Sequence, residues 1–290
     1  MKVLVFGAAG QLGQAIKKVA AQRNLKDFCF LSREEVNILD NESLKQIFER
    51  EKPGIVINCA AYTAVDLAED EQDNAHAINC IGASKVAEYC NRYHATLIHV
   101  STDFVFGGAV PARPLTETDP TNPMGVYAKT KLSGELSIAT VLKEYIIIRT
   151  SWLYAEFGNN FVKTMLRLGK ERKELGVVAD QIGTPTYAVD LAHCILDIIS
   201  RGAKQYGLYH YSNEGVASWY DFAKAIFDIA GIEMLVKPLK TSEYPVKAAR
   251  PSFSVLDKSK IKSVYECKVP YWRDSLAVCI KELETQYSES

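Results

Sequence analysis

The sequence predicts an α/β protein: a doubly wound parallel sheet with a smaller, interleaved C-terminal domain. Three observations carry that prediction. Short β-branched runs alternate with longer amphipathic stretches through the first half of the 290-residue chain. Each run is apolar almost without interruption, as strands covered on both faces require. A glycine-rich turn follows the first run at once.

KVLVF (2–6) reads as the first strand and GQAIKKVAAQR (13–23) as the helix after it. FCFL (28–31), GIVIN (54–58), TLIHVS (96–101) and EYIIIRT (144–150) are the next strands. Helical periodicity marks NESLKQIFERE (41–51), DNAHAINCIGASKVAEYCNRY (73–93) and YAKTKLSGELSIATVL (127–142) between them. After Thr150 the rhythm breaks. NNFVKTMLRLGKERKEL (159–175) reads as a helix, GVVAD (176–180) as a strand and YAVDLAHCILDIISRG (187–202) as a helix. YGLYHYS (206–212) is a strand, SWYDFAKAIFDIAG (218–231) a helix. Pro238, Pro245, Pro251 and Pro270 then punctuate a looser segment before a last helix near Trp272–Tyr287. Residues 1–150, joined by 188–212, form the expected dinucleotide-binding domain. Residues 151–187 and 213–290 form the expected substrate domain.

With 48% hydrophobic and 24% charged residues, the composition is that of an ordinary globular protein. The net charge of −1, without a run of one sign, argues against nucleic acid as a partner. Seven cysteines, an odd number without a C-x-x-C, read as reduced thiols. The five histidines lack metal-ligand spacing, so no metal site is expected. The opening apolar run, Val3 to Phe6, is too short for a signal peptide, and no stretch approaches the roughly 18 apolar residues of a membrane span. A cytoplasmic protein, without membrane contact, is expected. The sequence allows a homodimer.

FGAAGQLG places Gly7, Gly10 and Gly13 in a G-x-x-G-x-x-G spacing between a strand and a helix. Glycines there permit a tight turn and close approach of backbone to a pyrophosphate, which the helix N-terminus attracts. This is the mark of a Rossmann-type dinucleotide site. Ser32 and Arg33 follow the second strand where an acid would bind the adenosine ribose, which favours NADPH and leaves NADH as the alternative. Ala60 and Ala61 leave room at the end of the third strand. Ser101, Thr102 and Asp103 end the fourth facing the same crevice, where a hydroxyl can hydrogen-bond a substrate carbonyl.

Tyr127 and Lys131 are four residues apart, so one helical face carries both. Tyrosine ordinarily titrates at about 10, too high to exchange protons readily at neutral pH. The expectation is that Lys131 favours the phenolate and lowers the Tyr127 pKa, with a bound nicotinamide adding to the effect.

These motifs together resemble the extended short-chain dehydrogenase/reductase family, and most closely its dTDP-4-dehydrorhamnose reductase branch. The resemblance runs nearly the whole chain. It rests on FGAAGQLG, NCAAYTAVDLAE, STDFVFGG, NPMGVYAKTKLSGE, IIRTSWLY, NNFVKTM, DQIGTPTYAVDLA, SWYDFA and RPSFSVLD. RTSWLY and DQIGTPT point to the branch.

The resemblance implies NAD(P)H-dependent reduction of the 4-keto group of dTDP-6-deoxy-L-lyxo-4-hexulose to dTDP-L-rhamnose, a step of nucleotide-sugar and cell-surface polysaccharide biosynthesis. Tyr127 would protonate the nascent alkoxide, Lys131 would hold the nicotinamide ribose, and Thr102 would orient the substrate oxygen. Gly10, Gln11 and Leu12 would touch the pyrophosphate, and Asn37 with Ile38 the adenine. Ala61, Tyr62, Thr63 and Val100 would line the nicotinamide side. Asp103, Phe104 and Trp152 would contact the nucleotide-sugar substrate, with Gln181 and Arg250 at its nucleotide end. Two positions depart from the branch, which often has tyrosine at Phe104 and aspartate at Asn37.

Two rival readings share the fold. A dehydratase needs an acid–base pair beside the catalytic threonine, and Phe104 cannot accept a proton; an epimerase is disfavoured by RTSWLY and DQIGTPT. A non-catalytic subunit, like the regulatory subunit of methionine adenosyltransferase, is disfavoured by the intact Thr102, Tyr127 and Lys131.

Overall fold

Alternating side chains put apolar surface on both faces of the first strand, β1 (Val3–Phe6), in the computed structural model, which describes residues 1–108 and 113–288. Val3 and Val5 join the core on one face, Leu4 and Phe6 the core on the other. The same split recurs in β3 (Ile55–Asn58), β4 (Thr96–Thr102) and β5 (Tyr145–Thr150), where Ile57, Ile98 and Ile148 oppose Val56, Leu97 and Ile147. With β2 (Phe28–Leu31) and β6 (Gly207–His210), these strands form one sheet in the order 2-1-3-4-5-6, every pairing parallel. The order reverses between β1 and β3. A crevice opens beyond the C-terminal ends of the strands at such a switch point.

Helices cover both faces. Gln11–Gln22 and Ala188–Ser200 pack into the core that holds Val3 and Val5. Asn41–Glu51, Ala83–Tyr93 and Gly125–Val141 pack into the other. The stretch 73–93 is not one regular helix. An α-helical turn, Gln72–His76, passes into a π-helical segment, Ala77–Gly82, before Ala83–Tyr93 resumes the α-helix.

The chain after Thr150 builds three two-stranded pairings around an aromatic cluster. Leu153–Tyr154 pairs with Thr186–Tyr187, and Ile182–Gly183 pairs with Ala217–Ser218. Phe161, Trp219, Phe222 and Trp272 pack where the helices Phe161–Glu171, Trp219–Ile229 and Trp272–Ser288 meet. The first of these helices ends at Glu171, short of the periodicity that predicts a helix to Leu175. Arg172 is extended (φ −134°, ψ 157°), and Glu174–Val178 pairs in parallel with Leu235–Leu239. That second strand contains Pro238, one of the prolines read as punctuation. A two-stranded ribbon is all edge, so a proline costs no ladder bond on its outer side.

No helix among the described residues is long and apolar enough to cross a membrane. The seven cysteines are free.

Candidate active site

The glycine turn after β1 is shaped by close backbone packing. Gly7 has φ +74°, and a Cβ on it would lie 2.6 Å from the Ala60 nitrogen. A Cβ on Gly13 would lie 2.4 Å from the Gly7 carbonyl oxygen. Only glycine lets this turn fold onto the end of β3. The helix Gln11–Gln22 then starts at Gly10 with no side-chain cap and no acid in its first turn. Its N-terminal N–H groups therefore face the crevice as donors, and the turn fits a dinucleotide pyrophosphate.

A cavity of about 620 Å³ opens there. Gly7, Gly10, Gln11, Leu12, Gly13, Ala61, Thr63 and Val100 line it, and so do Thr102, Asp103, Phe104, Tyr127, Lys131, Trp152 and Arg250. The other predicted residues stand elsewhere. Arg33 is exposed in a turn where Glu35 Oε2 accepts the Ser32 N–H at 2.7 Å. Asn37 Oδ1 accepts the Leu39 N–H at 3.0 Å, and Ile38 is buried against Gly82. Ala60 packs against Gly7, and the Tyr62 hydroxyl donates to Glu71 at 3.1 Å. Gln181 is buried, donates to Thr241 Oγ1 at 3.1 Å and does not line the cavity.

Tyr127 and Lys131 occupy the first turns of Gly125–Val141. The Tyr127 ring meets Phe104 edge to face at 5.5 Å. Burial pushes its phenol up to about 12; the Thr102 hydroxyl acts against that shift and Asp103 reinforces it. Burial, rather than a neighbouring cation, sets the direction of this shift. The Lys131 ammonium donates to the Val100 carbonyl at 2.8 Å and approaches His99 Nε2 at 3.4 Å. Burial pushes Lys131 itself down to about 8 against the pull of Glu135. The chain's own groups thus keep Tyr127 protonated at neutral pH, as a proton donor must be.

Asp103 is buried beside this pair, and its Oδ1 accepts the Thr102 hydroxyl at 3.2 Å. Burial pushes its carboxyl up to about 7. Trp152 adopts the left-handed region (φ +46°) and stacks on Trp219 at 3.7 Å and 10°. Its other neighbour is Gly183, where a Cβ would lie 2.7 Å from the indole. Arg250 reaches the cavity from the C-terminal segment while paired with Asp66.

Sequence reasoning missed several residues that build this site. Asn79, in the π-helical segment, accepts the Tyr62 N–H and donates to the Tyr62 carbonyl and to Thr130 Oγ1. Glu135 is buried in a fork with Arg149 and accepts the Ser101 hydroxyl, which ties β4, β5 and the Tyr127 helix together. Trp219 lines the cavity. Only Asn79 left a trace in the sequence, as an asparagine within an otherwise helical run.

A glycine turn at the sheet's switch point, followed by a buried Thr102 and Lys131 with a half-buried Tyr127, defines a dinucleotide-dependent oxidoreductase. The family model described as "RmlD substrate binding domain" matches residues 1–285. The chain belongs to that family, the dTDP-4-dehydrorhamnose reductases. It is 41% identical over 285 residues to the dTDP-4-dehydrorhamnose reductase of Aggregatibacter actinomycetemcomitans, covering 95% of this chain and 97% of the relative. A dTDP-4-dehydrorhamnose reductase structure from Clostridium acetobutylicum superposes with a TM-score of 0.93 at 42% identity, covering 98% of this chain and 100% of that one. A second, from Bacillus anthracis in complex with NADP, gives 0.92 at 40% identity, with 97% and 100% covered.

Proposed function

We propose that this chain reduces the 4-keto group of dTDP-6-deoxy-L-lyxo-4-hexulose to yield dTDP-L-rhamnose. The observation that carries the reading is the cavity that joins the glycine turn to Thr102, Tyr127 and Lys131. NADPH, with NADH as the alternative, supplies hydride to C4 when bound. Gly7, Gly10, Gln11, Leu12 and Gly13 would hold its pyrophosphate, and Lys131 its nicotinamide ribose. Thr102 orients the carbonyl oxygen. Tyr127, neutral before the reaction, gives its proton to that oxygen as negative charge develops there. The Lys131 cation then stabilises the phenolate left behind. Asp103, Phe104 and Trp152 form the sugar side of the site, and Arg250 the diphosphate side. Residues 1–150 with 188–212 serve the cofactor and the remainder serves the substrate, in a cytoplasmic enzyme.

The test mixes purified protein with NADPH and the enzymatically generated keto sugar and follows loss of reduced-nicotinamide absorbance. Tyr127→Phe is expected to lose roughly 10²–10⁴-fold in rate, the range of a general acid. Binding of NADPH by that variant with wild-type affinity assigns the loss to chemistry. No oxidation by the wild type, with cofactor still bound, removes the rhamnose assignment.

A further inference from the structure

Arg250 is held by a carboxylate that none of the steps above uses. Asp66 Oδ1 accepts from Arg250 Nη1 at 3.0 Å and from the Ala248 N–H at 3.0 Å, and Asp66 Oδ2 accepts from Nη2 at 2.7 Å. Nη1 also donates to the Ala248 carbonyl at 2.8 Å. The fork holds the Asp66 carboxyl well below the usual range, at about 2, so it stays charged wherever the protein is folded and active.

A guanidinium carries N–H groups on all three nitrogens, two on each terminal one, in a rigid plane. Asp66 takes one from Nη1 and one from Nη2, and Ala248 takes the second on Nη1. The second Nη2 hydrogen and the Nε–H have no partner among the described residues. They lie side by side, because Nη2 is on the Nε–H edge of the plane. Arg250 lines the same cavity as the glycine turn and Tyr127. Two parallel N–H groups on one edge match two oxygens of a phosphate.

We propose that Asp66 is a positioning residue: it fixes the Arg250 guanidinium so that the free edge receives the diphosphate of the nucleotide-sugar substrate. The inference rests on the nucleotide-sugar reading above. A free arginine side chain has many rotamers and loses them on binding, whereas a prebuilt fork has already lost them. Asp66 also brings a negative charge toward an anion, which acts the other way. The two effects have opposite signs, so the sign of the measured change decides between them.

The experiment uses the full chain with Asp66→Asn, Arg250→Ala and the double variant. It measures KM for the keto nucleotide sugar, KM for NADPH and kcat, with calorimetric titration of thymidine diphosphate as a binding probe. Asp66→Asn is expected to raise the sugar KM and the thymidine diphosphate Kd about tenfold, the value of one charge-assisted contact, and to leave kcat and the NADPH KM unchanged. In the Arg250→Ala background it is expected to add nothing. A sugar KM that falls or stays constant overturns the proposal. So does a loss that persists without Arg250, or one that spreads equally to NADPH binding. A wild type that neither binds thymidine diphosphate nor turns over the keto sugar removes the underlying reading, and the proposal with it.

Discussion

Glu69 Oε1 accepts the Val126 N–H at 2.8 Å, across the N-terminus of the helix that carries Tyr127 and Lys131. That helix has no cap of its own, because Met124 at its N-cap position offers no side-chain acceptor. Gly125 makes the approach possible: its φ is +82°, and a Cβ there would lie 2.7 Å from the same Glu69 oxygen. A carboxylate at this end also complements the helix dipole. Glu69→Ala is therefore expected to cost about 1–2 kcal/mol of stability, as loss of a cap does. It is also expected to lower kcat about tenfold through drift of Tyr127. Thermal melts and steady-state kinetics check both, and a wild-type kcat would show that the cap does not position the tyrosine.

Gly134 lies on the same helix and meets the π-helical segment. A Cβ on it would stand 2.1 Å from the Asn79 carbonyl oxygen, which is backbone and cannot swing aside. The widened turn also aims the Asn79 side chain at Tyr62 and Thr130. Gly134→Ala is expected to destabilise the protein by about 1–3 kcal/mol, the usual range for overpacking. A fall in kcat is expected with it, because the helix that carries Tyr127 must shift. Urea unfolding at neutral pH reads the first effect, and an unchanged midpoint would mean the two backbones separate freely.

The sheet was legible because its strands are buried on both faces and so read as unbroken apolar runs. The glycine turn and the Tyr127–Lys131 pair were legible because their spacing is local. What escaped the sequence depends on partners far along the chain. The strand read at 176–180 starts earlier, at Glu174, because it pairs with Leu235–Leu239, and nothing near Lys173 announces that partner. Asp66 and Glu69 lie in one short stretch, yet their partners are Arg250 and Val126. Gln181 likewise has a partner, Thr241, 60 residues away that its own stretch does not reveal. Burial, the largest cause of the Tyr127 shift, was illegible for a related reason. Helical spacing places Lys131 nearby but does not say where its ammonium points.

Trp152 keeps an unfavourable backbone conformation because its indole is held between Trp219 and the Gly183 backbone. Trp219→Ala removes the stacked partner, and a pair of this kind is worth about 0.5–1.5 kcal/mol beyond its buried area. The expected result is a sugar KM raised about three- to tenfold at unchanged NADPH KM. Intrinsic fluorescence is expected to change with it, since the Trp152 indole gains contact with water. A KM equal to wild type would show that Trp152 holds its place without the stack.

His210 sets a pH limit on the fold. It is fully buried, its Nδ1–H donates to the Leu115 carbonyl at 3.0 Å, and its Nε2 has no partner among the described residues. The Phe106 ring meets it edge to face, and Arg149, Glu117, Asp257 and Lys260 are the charged groups around it. Burial, then Arg149, push its pKa down to about 3 from the ordinary 6.5. The unfolded chain therefore takes up a proton between these values and the folded chain does not. The histidine's contribution to stability is complete above pH 6.5 and is lost progressively as the pH falls toward 3. Relative to His210→Gln, the wild type is expected to lose about 1.4 kcal/mol per pH unit between roughly pH 6 and 4. Buried Asp103 titrates in the opposite sense over an overlapping range, since its raised pKa makes folding less favourable as the pH rises. It is present in both proteins, so the difference between their denaturation curves cancels it. Curves that stay parallel from pH 7 to pH 4 would show that His210 accepts its proton in the folded state.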